Sequence, residues 1–538
     1  TCVPKRCGVR EGPGDVLMTE AQSQAGKLRN LEIPNEVRSE AVTSWSDEVE
    51  VLVIGAGMAG VAAAIEAATT GARVLVLDRG GRLSCTSAMA GGHFYLGGGT
   101  PVQEAAGYED TPAEMAKYLT AVSPDCDPEK IRVYSEGSIE HFGWLESLGF
   151  EFERSYYPQK AAIQPGTQGV MFSGNEKLWP FCDLAVPAPR GHKPPVEGDM
   201  GGATLVLELA LKKLDELGVE IRYETGATAL VTEHRAPDGE VVVGATWKRF
   251  SETGAVRASA VVVAAGGFVM NPDMVHEFAP PLEALIAKGM ALGNTYDDGL
   301  GIRLGQSVGG VAEHMDGAFL TAPFYPPGDL VKGICVNNRG ERFVAEDSYH
   351  SRTSAFVFDQ PEQKAWLVLD SVHMAEPAYG LQPLVDGWET VAEMEVGLGV
   401  PVGSLAQTLD DYNASARQGD DPVFHKATEY VTPLDAPPYG AYDLTPGQCF
   451  YSGFTCGGLR VDLDGRVLRE DRTAIAGLYA AGACASNIAV DGRGYASGTQ
   501  LGEASFFGRR AGRHAVGVNS RQDVTQVTQV RYSTDVVR

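Results

Sequence analysis

The chain has 538 residues, a formal net charge of -26, and 44% hydrophobic residues. So acidic a balance excludes a nucleic-acid partner, whose phosphates need a basic surface. The length allows two domains, or one large domain with an insert, and a core that folds without metal or disulfide.

No run of 18 apolar residues occurs, so no transmembrane segment is expected. Nine scattered cysteines lack any C-x-x-C pair or zinc spacing, so no metal site is expected and free thiols in the cytoplasm fit best.

Residues 1–44 read as a flexible leader. Glu48 to Ile54 is a short β-branched run followed at once by glycine, which predicts a buried parallel strand. The alanine-rich stretch from Met58 to Thr70 predicts a helix, and Ala72 to Leu77 a second strand. Helices follow over 111–149, with Pro112 near one start and Asp127–Pro128 opening another. Residues 150–202, rich in Pro, Gly and aromatics, are expected to be irregular. Ala203 to Leu217 reads as an amphipathic helix, and four strands are expected between Val219 and Val263. From about residue 271 to 434 the rhythm breaks, as in an inserted domain. Short strands resume at Leu459 and Ile475, Ser497 to Arg513 is a closing helix, and 519–538 reads as a loose tail.

Gly55, Ala56, Gly57, Met58, Ala59 and Gly60 form a G-x-G-x-x-G between a predicted strand and a predicted helix, and Asp78 ends the next strand. In that setting the motif marks dinucleotide binding. Gly55 allows the turn, Gly57 admits the pyrophosphate, and Gly60 lets helix and strand pack closely. The helix N-terminus then meets the phosphates. Asp78, with Arg79 beside it, is positioned for the adenosine ribose. Only one such fingerprint occurs. The hydroxyl-rich stretch with Ser84, Thr86, Ser87, Gly91 and Gly92 favours FAD over NAD, because it can run along an extended cofactor. A strand ending at Gly482 and a helix opening at Gly498, Gln500 and Leu501 add a site where a helix N-terminus stabilises negative charge on a reduced flavin.

From about Glu48 to Ala515 these pieces, in this order, resemble the FAD-binding subunits of fumarate reductases, succinate dehydrogenases and 3-ketosteroid dehydrogenases. The resemblance implies an α/β fold: a Rossmann-like FAD-binding domain of two segments, 45–270 and 435–518, with a substrate-capping domain inserted at 271–434. It adds Ala227, Ala265, Gly266 and Asp298 as FAD contacts. Members with covalent flavin carry a His where this chain has Cys85, so FAD is expected to be noncovalent.

Dicarboxylate members clamp their substrate with Arg and His. Here Gly340 to Glu346 keeps their G-x-R-F-x-x-E motif, but Tyr349–His350 stands where an Arg is expected, with Arg352 two residues on. Phe454 and Tyr495 replace a His and an Arg. A buried dicarboxylate would be left unpaired, so a neutral, flat, apolar ketone fits better. Tyr495-Ala496-Ser497-Gly498, with Tyr349 upstream, looks like the 3-ketosteroid Δ4-(5α)-dehydrogenases. That likeness implies α-proton removal by Ser497, with Tyr495 and Tyr349 as its relay, β-hydride transfer to flavin N5, a C4–C5 double bond, and a quinone-like or other electron acceptor. Exchanged roles for Ser497 and Tyr495, a Δ1-dehydrogenase, and a fumarate reductase-like enzyme acting on a small acid are the alternatives.

Overall fold

The computed structural model describes residues 31–198, 200–235 and 239–517. Most of the expected leader and the expected tail lie outside these residues.

The fold is organised on one sheet. Its first strand, β1 (Asp47–Ile54), runs into helix α1 (Met58–Thr69) and strand β2 (Val74–Leu77). Helix α2 (Gly202–Glu216) leads to β3 (Glu220–Arg222), followed by β4 (Gly226–Arg235), β5 (Gly239–Arg249) and β6 (Glu252–Val263). Far along the chain, β7 (Ala474–Ala480) and helix α3 (Thr499–Ala515) complete the unit. The order across the sheet is β4-β5-β7-β6-β1-β2-β3. The pairs β7–β6, β6–β1, β1–β2 and β2–β3 are parallel. Val51, Leu52 and Val53 are fully buried, as expected of a parallel strand covered on both faces.

α3 lies directly on α1. A Cβ at Gly508 or Gly512 would stand 2.4 or 2.2 Å from the carbonyl oxygens of Ala59 and Ala63. This close packing sets the start of α3 beside the dinucleotide turn, although 440 residues of chain separate the two.

Two expectations are corrected. Residues 150–202 contain Glu153–Tyr156, Gln168–Met171 and Gly191–His192, which join Phe94–Tyr95 in a four-stranded sheet. These strands are too short to carry a period-two signal, and their partner is distant in sequence. The Arg190–Asp110 ion pair, 2.7 Å long and fully buried, ties this layer to the helical region. The last part of the leader also has structure. Val37–Arg38 adds in parallel to the edge of the main sheet, opposite Val231 and Thr232.

Between β6 and β7 the chain builds a second layer. Met290–Ala291, Ser452–Thr455 and Ala318–Thr321 form a three-stranded sheet in that order. Ile334–Asn337, Ala365–Asp370, Tyr439–Asp443 and Leu384–Trp388 form a separate antiparallel sheet. Its strand Tyr439–Asp443 lies after residue 434 and pairs with Ala365–Asp370 and Leu384–Trp388. The helix His350–Phe358 packs on Ala318–Thr321 and brings its N-cap, Tyr349, toward the main sheet.

Candidate active site

A cavity of about 780 Å³ runs from the β1–α1 turn to the three-stranded sheet of the second layer. At one end lies the glycine-rich turn. Gly55 has φ +109°, and a Cβ there would stand 2.3 Å from the Ala264 carbonyl oxygen. A Cβ at Gly60 would stand 1.9 Å from the Gly55 carbonyl oxygen. Gly57 differs: its Cβ would meet only Ser87 Oγ, at 3.3 Å. Gly55 and Gly60 are thus fixed by packing, whereas Gly57 leaves the backbone open to a ligand.

Ser87 Oγ accepts the Met58 N–H at 3.0 Å, so the hydroxyl-rich stretch is fastened to the start of α1. Asp78 accepts from the N–H groups of Ala56 at 2.6 Å and Gly80 at 2.7 Å, while burial holds its carboxyl above the usual range. Gly55, Gly57, Met58, Ala59, Asp78, Arg79, Ser84, Thr86, Ser87, Gly91, Gly92, Ala227, Ala265, Gly266 and Gly482 all line the cavity. So do Gly498, Gln500 and Leu501, at the start of α3. Ala56, Gly60 and Asp298 stand behind the wall. Asp298 braces Arg79 through a 2.9 Å ion pair. Its neighbour Asp297 reaches the cavity instead, hydrogen-bonded by Thr86 Oγ1, and burial raises its carboxyl to about 6.

At the other end Tyr349, Tyr495 and Ser497 meet. Tyr349 Oη lies 2.6 Å from Ser497 Oγ. Tyr495 Oη accepts the Gln500 N–H at 3.4 Å, so it rests on the first turn of α3. Burial pushes both phenols above their ordinary value, so each carries its proton at neutral pH. Phe319 stacks on Phe454 with centroids 4.5 Å apart and meets the Tyr495 ring edge-on at 4.6 Å. Sequence reasoning placed Phe454 and Tyr495 here but missed Phe319, which carries no local signal.

It also missed the segment that aligns the hydroxyl pair. Asn175 Oδ1 accepts the Tyr349 N–H at 2.9 Å. Two residues earlier, the Ser173 carbonyl accepts the Ser497 N–H at 2.8 Å, and Ser173 Oγ donates to the Ser497 carbonyl at 2.9 Å. One short stretch therefore grips both candidate active-site residues, from a region that reads as loop.

The His350 ring lies against Tyr349 with centroids 3.9 Å apart and planes tilted by 41°, and its Nδ1 lies 2.6 Å from Thr321 Oγ1. Burial lowers its imidazole to about 3, so it is neutral. The remnants of a dicarboxylate clamp point elsewhere. Arg342 is bound to Glu346 at 2.8 Å and Asp421 at 3.0 Å, inside a buried charge cluster. Arg352 lies over the rings of Phe181 and Phe356, off the cavity wall. Among the described residues, Arg79 is the only arginine or lysine on that wall, at the far, dinucleotide end.

Residues 50–501 match the family model described as FAD binding domain. The chain belongs to this family. The flavoprotein is similar to a crystal structure of 3-ketosteroid-Δ4-(5α)-dehydrogenase from Rhodococcus jostii RHA1 in complex with 4-androstene-3,17-dione. Identity is 38% and the TM-score 0.83, over 90% of this chain and 99% of that one. A 3-oxo-5-alpha-steroid 4-dehydrogenase of Comamonas testosteroni is 26% identical over 83% of this chain and 94% of its own. A probable fumarate reductase of Shewanella frigidimarina is also 26% identical, over 87% of this chain and 75% of its own. The flavoprotein is an FAD-dependent oxidoreductase. Its residues fit that cofactor: an open backbone at Gly57, the N-terminus of α1 for phosphates, and the N-terminus of α3 for the isoalloxazine.

Proposed function

We propose that the protein oxidises a 3-ketosteroid, placing a double bond between C4 and C5. The observation that carries this reading is the Tyr349–Ser497 hydroxyl pair, 2.6 Å apart, in an aromatic cage where, among the described residues, no cation faces a carboxylate. The reaction removes a proton from the carbon beside the ketone and a hydride from the next carbon. FAD, when bound, supplies the two-electron acceptor, which a quinone-like or other acceptor later regenerates. Ser497 Oγ takes the proton as it gives its own to Tyr349 Oη, which in turn releases its proton toward solvent, with Tyr495 beside them as part of the relay. The stacked Phe319 and Phe454 rings hold a flat ligand and exclude water. In this reading residues 45–270 and 435–518 bind FAD and the segment from 271 to 434 caps the substrate.

A small-acid reductase is disfavoured by the engaged Arg342 and Arg352, since a carboxylate buried without a partner costs far more than the roughly 2–7 kcal/mol of an unpaired neutral polar group. FAD is held noncovalently: Cys85 stands where a linking His is expected, and burial raises its thiol to about 11, so it stays protonated. Acid precipitation releases all of the yellow chromophore into the supernatant if this is right.

The test is anaerobic titration of the purified yellow protein. A 5α-3-ketosteroid bleaches the flavin band and succinate does not. Bleaching by succinate alone would overturn the reading.

A further inference from the structure

The cavity continues beyond the aromatic cage. In the three-stranded sheet Phe319 faces Phe454 across the strands, and Thr321 faces Ser452, which in turn pairs with Met290. Residues two apart share a face of a strand and lie about 7 Å apart. Phe319 and Phe454, both in ring contact with Tyr495, therefore form an inner layer, and Thr321, Ser452 and Met290 an outer layer one step along the strands. Thr321 Oγ1 is already engaged by His350. All three outer residues line the same cavity, with Pro323 and Leu381 beside them.

This outer layer reaches the surface. Met290 is 48% exposed, and Met200, which lines the cavity from the dinucleotide-binding side, is 59% exposed. A single exposed apolar side chain needs no explanation. Here, however, three of the four exposed methionines among the described residues, Met89, Met200 and Met290, border one cavity. Methionine is unbranched and polarisable, so it adapts to apolar ligands of variable shape. Among the described residues, Thr321, Ser452, Met290, Pro323 and Leu381 bring no charge to oppose an alkyl group.

We propose that a ligand with its ketone ring at Ser497 has its remote ring toward Met290, and that the outer layer is a subsite for an aliphatic substituent on that ring, so that 3-ketosteroids bearing an alkyl side chain are preferred over those without one. The proposal rests on the ketosteroid reading and names the substrate class for it.

The test uses the FAD-loaded protein and a series of 5α-3-ketosteroids carrying hydrogen, a two-carbon chain or an eight-carbon chain at the ring remote from the ketone. The rate of flavin reduction is read against concentration. The expected result is a kcat/KM that rises with chain length, by up to about fourfold for each methylene that becomes buried. Met290→Glu compresses this ratio while the variant keeps its FAD. A flat or falling series, with the unsubstituted ketone still oxidised, overturns the subsite and leaves the dehydrogenase reading standing. Failure of every member of the series to reduce the flavin overturns both.

Discussion

Tyr349→Phe isolates the chemistry of the hydroxyl pair. The substitution removes one oxygen from a residue that is 3% exposed and keeps the ring that lies against His350. The lost 2.6 Å contact with Ser497 costs about 1 kcal/mol of stability, because Ser497 Oγ borders the cavity and can be solvated there. Substrate affinity changes by less than about fivefold on the same scale. The rate responds far more. A positioned proton relay contributes about 100- to 10,000-fold, so flavin reduction by the ketosteroid slows by at least about 100-fold. Stopped-flow absorbance under anaerobic conditions measures this rate directly, and the flavin spectrum checks that FAD is still bound. Reduction at a rate within threefold of the unmodified protein would refute the assigned relay.

Asn175→Ala removes the acceptor for the buried Tyr349 N–H. It should lower kcat with little change in KM, and Asn175→Asp, which retains an acceptor oxygen, should recover much of the loss. The two outer functions of the glycine turn separate by substitution. Gly55→Ala forces a Cβ onto the Ala264 carbonyl oxygen and gives unstable protein. Gly57→Val folds, because the space there is open, but loses FAD affinity, measured by fluorescence quenching of the free cofactor. His350 titrates near 6.5 when unfolded and about 3 when folded. Its contribution is therefore fully present above the unfolded value and is lost as pH falls through the folded one. Chemical denaturation of the unmodified protein and His350→Gln should show the unmodified protein losing about 2 kcal/mol relative to the variant between pH 7 and pH 5. A constant difference would mean that folding does not lower the imidazole.

The β1–α1–β2 unit was legible in the sequence because its determinants are local. A four-residue buried strand, three glycines at fixed offsets and an acidic strand end specify the turn within thirty residues. The start of α3 was legible for the same reason: Gly498 and its neighbours mark a helix N-terminus wherever they occur. The resemblance carried Tyr349, Tyr495 and Ser497, but their spacing in sequence says nothing of a hydroxyl contact between positions 148 residues apart. That contact exists because the second layer sets Tyr349 at a helix N-cap facing α3, while Ser173 and Asn175 hold the backbones of its two partners.

Residues 150–202 were opaque because two- to four-residue strands paired with distant partners leave no periodic trace. The fates of Arg342 and Arg352 were equally undetermined. Each could have faced a substrate, and only the surrounding Glu346, Asp421, Phe181 and Phe356 turned them away. The sequence by itself determined a dinucleotide turn and the loss of two clamp residues. The tertiary structure decided which charges reach the cavity, because that depends on partners brought together from distant segments, and hence that the end holding Tyr349 and Ser497 is aromatic, hydroxylic and, among the described residues, free of cations.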